Sequence, residues 1–279
     1  MTTCNGQTLS YDADGNLIGD GANTYAWDAR NHLTTISGGV SARFLYDPFG
    51  RRTEKMIGGT TTQFLYDGLN PVQELDGANP PNATAEMLTG VGIDEYFQRT
   101  DSSGAMAFLT DALGSTIGLT NSAGSLATNY TYDPFGATTM GGTSNANSYQ
   151  FTGRENDGTG LYYYRARYYQ PTFQRFVAQD PIGFAGGDPN LYGYAFESPT
   201  YWIDLLGLDV TVIEYSGAGV NGFGHLAVGV NDHTPVGLEG ANAFYDALAL
   251  FGATVPGLLT RSSDTPYGSI SVDRVPGAA

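Results

Sequence analysis

Short stretches of alternating polar and apolar residues, each closed by a tight-turn signal, dominate the first two thirds of the chain. Thr60-Thr61-Thr62-Gln63-Phe64-Leu65-Tyr66 has the period of a half-buried strand. The turn signals repeat. Tyr11-Asp12, Trp27-Asp28, Tyr46-Asp47, Tyr66-Asp67, Thr110-Asp111 and Tyr132-Asp133 each open one. Gly15, Gly50, Gly114 and Gly136 stand at the fourth position after the leading residue, where a turn needs positive φ. The aspartate is placed to accept hydrogen bonds from the backbone just ahead of it. Each unit therefore predicts a hairpin. One hairpin cannot bury its aromatic face alone, so neighbours must pair into a continuous sheet. These repeat aspartates are read as turn formers.

Two segments break the rhythm. Residues 68–93 contain Pro71, Pro80 and Pro81 and show no strand period until their end, so an irregular insertion is expected there. Residues 136–148 read as a second flexible segment. Between them and the end of the repeats lies a dense run, Leu161-Tyr162-Tyr163-Tyr164-Arg165-Ala166-Arg167-Tyr168-Tyr169. Its alternation predicts rings on one sheet face and guanidiniums near the carboxylates of the next strand.

Composition narrows the function. Glycine (39) and aromatic residues (13%) support a mainly β chain of tight turns. A net charge of −16 argues against nucleic-acid binding, which requires a positive surface. The single cysteine, Cys4, excludes an internal disulfide and a cysteine-rich zinc site, and no cofactor or metal is expected. No apolar stretch is long enough to predict a spanning helix, and no signal peptide is visible. The start runs directly into repeat-like sequence, as expected of a piece of a longer protein.

The aromatic-Asp-x-x-Gly units, Asp111-Ala-Leu-Gly-Ser-Thr and the Tyr/Arg run resemble the YD repeats of RHS and related polymorphic toxins over about residues 10–208. Residues 175–208 carry Arg175-Phe176, Asp180-Pro181-Ile182-Gly183, Asn190-Leu191-Tyr192-Gly193-Tyr194, Pro199 and Asp204-Leu205-Leu206-Gly207-Leu208. In order and spacing they resemble the RHS repeat-associated core. The resemblance implies a β-hairpin shell (a partial β-cocoon) over 1–150 and a core with an autoproteolysis motif over 151–208. It also implies a variable effector-like extension over 209–279, read as a small α+β domain and expected to be cut short.

The resemblance further implies an aspartyl-type self-cleavage by Asp180 and Asp204, oriented or charge-balanced by Arg175, at the Leu208–Asp209 bond. Two adjacent carboxylates cannot both ionise cheaply, so one can hold a proton while the other acts as base. A bond in the same chain is already at high effective concentration. One residue departs from the pattern: the family usually has proline after the closing aspartate, and Leu205 stands there. The competing reading is that Asp180 and Asp204 only form turns.

Implied partners are the chain's own extension as enclosed cargo, a cognate immunity protein and a secretion-apparatus component. Delivery is expected through a specialised secretion system and the role in interbacterial competition. The alternative function is a non-cleaving, secreted or cell-surface scaffold for adhesion.

In the extension, Asp209–Tyr215 and Phe223–Val230 read as strands and Ala241–Leu250 as a short helix. Gly217-Ala-Gly-Val-Asn-Gly222 fits a dinucleotide-loop pattern, but a strand follows where a helix is required, so nucleotide binding is rejected. Gly224-His225 resembles the opening of a group of RHS tails with a Gly-His strand, a resemblance that points towards circularly permuted papain-like hydrolases. His225 is therefore the tail's candidate catalytic residue. No cysteine follows it, and Ser262, Ser263, Ser269 and Ser271 are the speculative nucleophiles. A lone histidine on an apolar strand is as readily structural.

Overall fold

A computed structural model describes residues 3–4, 6–208 and four strands beyond them, Thr211–Tyr215, His225–Gly229, Leu258–Arg261 and Ile270–Asp273. The chain forms two compact units, Met1–Thr211 and Val212–Ala279. The expected helix over Ala241–Leu250 lies outside the described residues.

The first unit is built on one antiparallel meander of 14 strands, running from Ser10–Tyr11 to Thr138–Gly142, in which sequence neighbours are sheet neighbours throughout. The turn chemistry explains this order. In the first unit Asp12 Oδ1 accepts the amides of Asp14 (3.0 Å) and Asn16 (2.8 Å), and Gly15 takes φ 81°. The same pair of amides, two and four residues on, is taken by Asp28, Asp47, Asp111 and Asp133. Asn31 replaces glycine after Asp28 and takes the left-handed conformation itself, at φ 61°. Each closed turn returns the chain beside the strand it left, so a meander is the only order these turns allow.

Two expectations are corrected. Residues 68–93 are not an irregular insertion: Asn70–Leu75 and Ala83–Thr89 are consecutive strands of the large sheet. Pro71 is accommodated by a register shift between Pro71 and Gln73, so the strand continues past a residue that cannot donate. Likewise 136–148 includes the last strand, Thr138–Gly142, which pairs along Leu126–Tyr132.

A second sheet of four short strands, Glu155–Asn156, Tyr162–Tyr164, Arg167–Gln170 and Arg175–Phe176, carries the Tyr/Arg run. The expectation of rings on one face fails, because this sheet is buried on both. Tyr163 and Tyr168 pack with Leu17, Leu33, Ile36 and Phe44 of the large sheet. Tyr162, Tyr164 and Tyr169 pack with Phe151, Phe176 and Tyr194. A small sheet enclosed by its own chain has no solvent face on which to place polar residues, and every residue from Leu161 to Tyr164 is buried. Each buried aromatic contributes on the order of 1.5–3 kcal/mol. This double layer is the core of the unit, and it holds the Arg167 strand in the middle.

Candidate functional site

Arg167 leaves a two-residue turn, Arg165-Ala166, that closes the hairpin pairing Tyr164 with Arg167. Its side chain is buried, with the guanidinium carbon 3.6 Å from the centre of the Phe176 ring. Four groups surround that guanidinium. Nε donates to the Gly207 carbonyl at 2.6 Å and Nη1 to the Leu191 carbonyl at 3.2 Å. Nη2 lies 3.1 Å from Asp180 Oδ2 and 3.1 Å from Asp204 Oδ2. The two carboxylates are thus no more than twice that distance apart, although 24 residues separate them in sequence.

Asp180 and Asp204 are both buried, and each heads a turn. Asp180 Oδ1 accepts the Ile182 amide at 2.9 Å, and its own amide donates to the Leu191 carbonyl at 2.9 Å. Asp204 Oδ1 gathers three successive amides, Leu206 (3.2 Å), Gly207 (2.7 Å) and Leu208 (3.0 Å). Gly207 is required by shape. At φ 70° a Cβ would sit 2.3 Å from the Tyr164 carbonyl oxygen and 3.0 Å from the Arg167 amide nitrogen.

Two further bonds pin the same segment against the hairpin turn. Arg165 donates to the Leu205 carbonyl, and the Ala166 amide donates to the Leu206 carbonyl at 3.1 Å. Arg165 is held in turn by Asp94, which also pairs with Arg154 at 2.6 Å. Burial alone would push the Asp94 carboxyl up, and the two guanidiniums outweigh it and hold it below its usual range. Residues 204–208 are therefore presented in one fixed shape, with Leu208 beside the aspartate pair.

The two sequence-predicted aspartates share one guanidinium, and the Leu208 amide donates to Asp204. Arg167 was not anticipated as their shared cation. Arg175 has its guanidinium carbon 4.3 Å from the centre of the Tyr192 ring, and Tyr192 donates to the Gly15 carbonyl at 2.8 Å. Asp209, across the bond from Leu208, lies outside the described residues. His225 begins a strand that pairs with Thr211–Tyr215 in the second unit. The only available signal for Arg167 was its place in the Tyr/Arg run, and nothing local distinguishes it there from Arg165.

Leu206 and Leu208 also line a cavity of about 230 Å³, together with His32, Gly50, Arg51 and Arg165. Among the described residues no group of three or more His, Cys, Asp or Glu side chains is placed to hold a metal ion. No helix among them is long and apolar enough to cross a membrane.

The teneurin YD-shell family model matches residues 1–197. Among similar proteins, the tRNA nuclease WapA of Bacillus subtilis (strain 168) is 32% identical over 226 residues, covering 73% of this chain and 9% of WapA. The double-stranded DNA deaminase toxin A of Burkholderia cenocepacia (strain H111) is 33% identical over 243 residues, covering 72% of this chain and 17% of the toxin. This chain thus spans only a small part of those relatives' length. Among solved structures, the TcdB2–TccC3 crystal structure aligns with a TM-score of 0.56 at 20% identity, over 71% of this chain and 11% of that one. A Photorhabdus luminescens Tc holotoxin pore aligns with a TM-score of 0.57 at 19% identity, over 74% of this chain and 11% of that one. At such identities these structures share the fold.

Proposed function

The chain belongs to the RHS/YD-repeat family of polymorphic toxins, and on that footing we propose that it is the toxin's self-cleaving C-terminal part. The β shell and its core domain cut the chain after Leu208 and release residues 209–279 as a small effector. The observation that carries this reading is the single guanidinium of Arg167. It holds Asp180 and Asp204 side by side and also binds the carbonyl of Gly207, one residue before the bond to be cut.

In the reaction, one carboxyl group of the pair removes a proton from water as the water oxygen attacks the Leu208 carbonyl carbon. The protonated partner polarises the carbonyl oxygen. Collapse of the tetrahedral intermediate breaks the C–N bond, and the proton taken from water passes to the departing Asp209 nitrogen. Arg167 positions the pair, and the three amides on Asp204 Oδ1 fix the approach of Leu208. Because the bond is tethered within the same unit, slow chemistry suffices: one turnover per chain is the whole task. Arg175, five residues before Asp180, charge-balances the pair from the neighbouring strand.

The released tail acts on a target cell in interbacterial competition. Its partners are an immunity protein that restrains it and a secretion apparatus that delivers it, with the shell holding it until release. The similarity to toxin protein Tse5 of Pseudomonas aeruginosa, 37% identical over 107 residues and covering 38% of this chain and 8% of Tse5, supports the toxin reading. His225 is the proposed functional residue of the tail.

One observation favours the second reading, a non-cleaving scaffold. Asp204 spends one oxygen on three backbone amides and the other on Arg167, as a purely turn-forming aspartate would. Denaturing electrophoresis of the purified chain decides between the two. Self-cleavage yields fragments 1–208 and 209–279, both lost in Asp180→Asn or Asp204→Asn. A wild-type chain that stays intact on prolonged incubation refutes cleavage. Toxicity on expressing 209–279 that His225→Ala abolishes tests the tail.

A further inference from the structure

Two residues lining the cavity beside Leu208, His32 and Arg51, each carry a side-chain nitrogen with no hydrogen-bond partner among the described residues. His32 is fixed by Asp28, whose Oδ2 is 3.1 Å from Nδ1, and its ring stacks on Tyr46 with centroids 4.7 Å apart. Its other nitrogen, Nε2, has no hydrogen-bond partner among the described residues. Gly50, at φ 83°, leaves room for it: a Cβ there would stand 3.2 Å from Nε2. Arg51 bonds Asp47 through Nε at 2.8 Å and the Gly68 carbonyl through Nη1 at 3.1 Å. Its Nη2 is likewise uncommitted among the described residues.

The other charged groups lining the cavity are already engaged. Arg154 and Arg165 pair with Asp94, and Glu155 pairs with Arg52. What remains is an imidazole and a guanidinium edge in a cavity otherwise walled by leucines, proline and aromatic rings. A guanidinium edge in such surroundings suits one carboxylate.

We infer that this cavity receives the new α-carboxylate of Leu208 once the chain is cut. The inference rests on the proposed cleavage for its biological setting. Before hydrolysis Leu208 ends in a neutral amide, which gains little from Arg51. Afterwards it carries a full negative charge at a residue that lines the cavity. Arg51 Nη2 donates to the carboxylate from one side of the cavity, and the His32 ring, held by Asp28 and Tyr46, stands on the other. The site thus favours product over uncut chain. It disfavours resynthesis of the bond and keeps the shell's cut end in place while the tail departs.

The test uses chains ending at Leu208, which retain nearly all of the compact unit Met1–Thr211 and its core. They are made with either a terminal carboxylate or a terminal carboxamide, so that only the charge differs. His32 is the sole histidine of residues 1–208, and its ring resonances report directly on the cavity. The carboxylate form is expected to melt about 2–4 °C above the carboxamide. The His32 resonances are expected to differ between the two forms, and Arg51→Gln to erase the melting difference. Equal melting with unchanged His32 resonances overturns the inference. So does a melting difference that survives Arg51→Gln without movement of His32, since that would be a general effect of terminal charge. These chains end at Leu208 by design, so the result is independent of self-cleavage. An uncut full-length chain refutes cleavage and leaves the carboxylate site standing.

Discussion

Arg52 tests how the small sheet is fastened to the large one. It lies on the strand Arg52–Ile57 with its side chain wholly buried, and it reaches residues more than 100 positions away. Nη2 is 2.6 Å from Glu155 Oε2, Nη1 is 2.5 Å from Asp157 Oδ2, and the guanidinium carbon is 4.1 Å from the centre of the Tyr163 ring. Lys55 adds a second cation, 3.1 Å from Asp157 and 3.4 Å from Glu155. Arg52→Leu leaves the two buried carboxylates with Lys55 as their ion-pair partner, and Arg154 acting on Glu155 from farther off. Breaking a buried pair from one side costs about 3–5 kcal/mol, because the surviving charge stays desolvated. For a unit of this size each kcal/mol lowers Tm by about 2–4 °C, so a fall of roughly 10 °C is expected.

Acid provides a second reading of the same cluster. Burial would push Glu155 up, but Arg52, Lys55 and Arg154 outweigh it and hold the carboxyl at about 2, against an ordinary 4.5. A carboxyl depressed on folding contributes stability that is complete above its unfolded pKa and is lost as pH falls from 4.5 towards about 2. That window is worth roughly 3 kcal/mol. Urea denaturation of the wild type between pH 6 and pH 2.5 should show the loss, and Arg52→Leu should flatten it. Adding Glu155→Gln and Asp157→Asn to Arg52→Leu should recover part of the loss at neutral pH, since it removes the stranded charge. A loss below about 1 kcal/mol at neutral pH with an unchanged acid slope would refute the reasoning.

Other substitutions probe the turns and the closing segment. Gly207→Ala should cost more than about 1 kcal/mol, since its Cβ meets backbone atoms on the facing hairpin, and a time course on denaturing gels should show slowed release of the tail. Arg167→Met removes the guanidinium that Asp180 and Asp204 share and should lower stability by about 3–5 kcal/mol, with Arg167→Lys intermediate in thermal melts. Asp133→Ala loses the bonds from the Phe135 and Ala137 amides and should cost about 1–2 kcal/mol, most of it restored by Asp133→Asn. Ala195, Phe196 and Glu197 hold φ of 50°, 52° and 56° in succession, a left-handed turn without glycine or asparagine. Left-handed backbone costs about 1–2 kcal/mol per ordinary residue, so the exposed Glu197→Asn should raise Tm by a degree or more.

What the sequence revealed and what it hid divide by the range of the interactions. The aromatic-Asp-x-x-Gly units were legible because their bonds close within five residues, as at Asp12 and Asp133, and a run of such turns leaves a meander as the only arrangement. Residues 68–93 were misread because Pro71 was weighed as a strand breaker, whereas a register shift in the ladder absorbs it, and a shift is a property of two strands. Asp180 and Asp204 are singled out by the resemblance of their segment to the RHS repeat-associated core, and the fold brings them onto one guanidinium. Their cation is not singled out, since nothing local separates Arg167 from Arg165 two residues before it. The hairpin turn at 165–166 makes the difference. It sends Arg165 to Asp94 and Arg167 to the aspartate pair, so that each arginine binds a different long-range carboxylate. A buried guanidinium must find its counter-charge wherever the fold provides one, because leaving it unpaired costs more than any local preference supplies. Arg52, Arg154, Arg165 and Arg167 all obey that rule across 13 to more than 100 residues. The closing segment 204–208 is therefore set in place by charges drawn from distant parts of the unit, and its geometry depends on both the large and the small sheet.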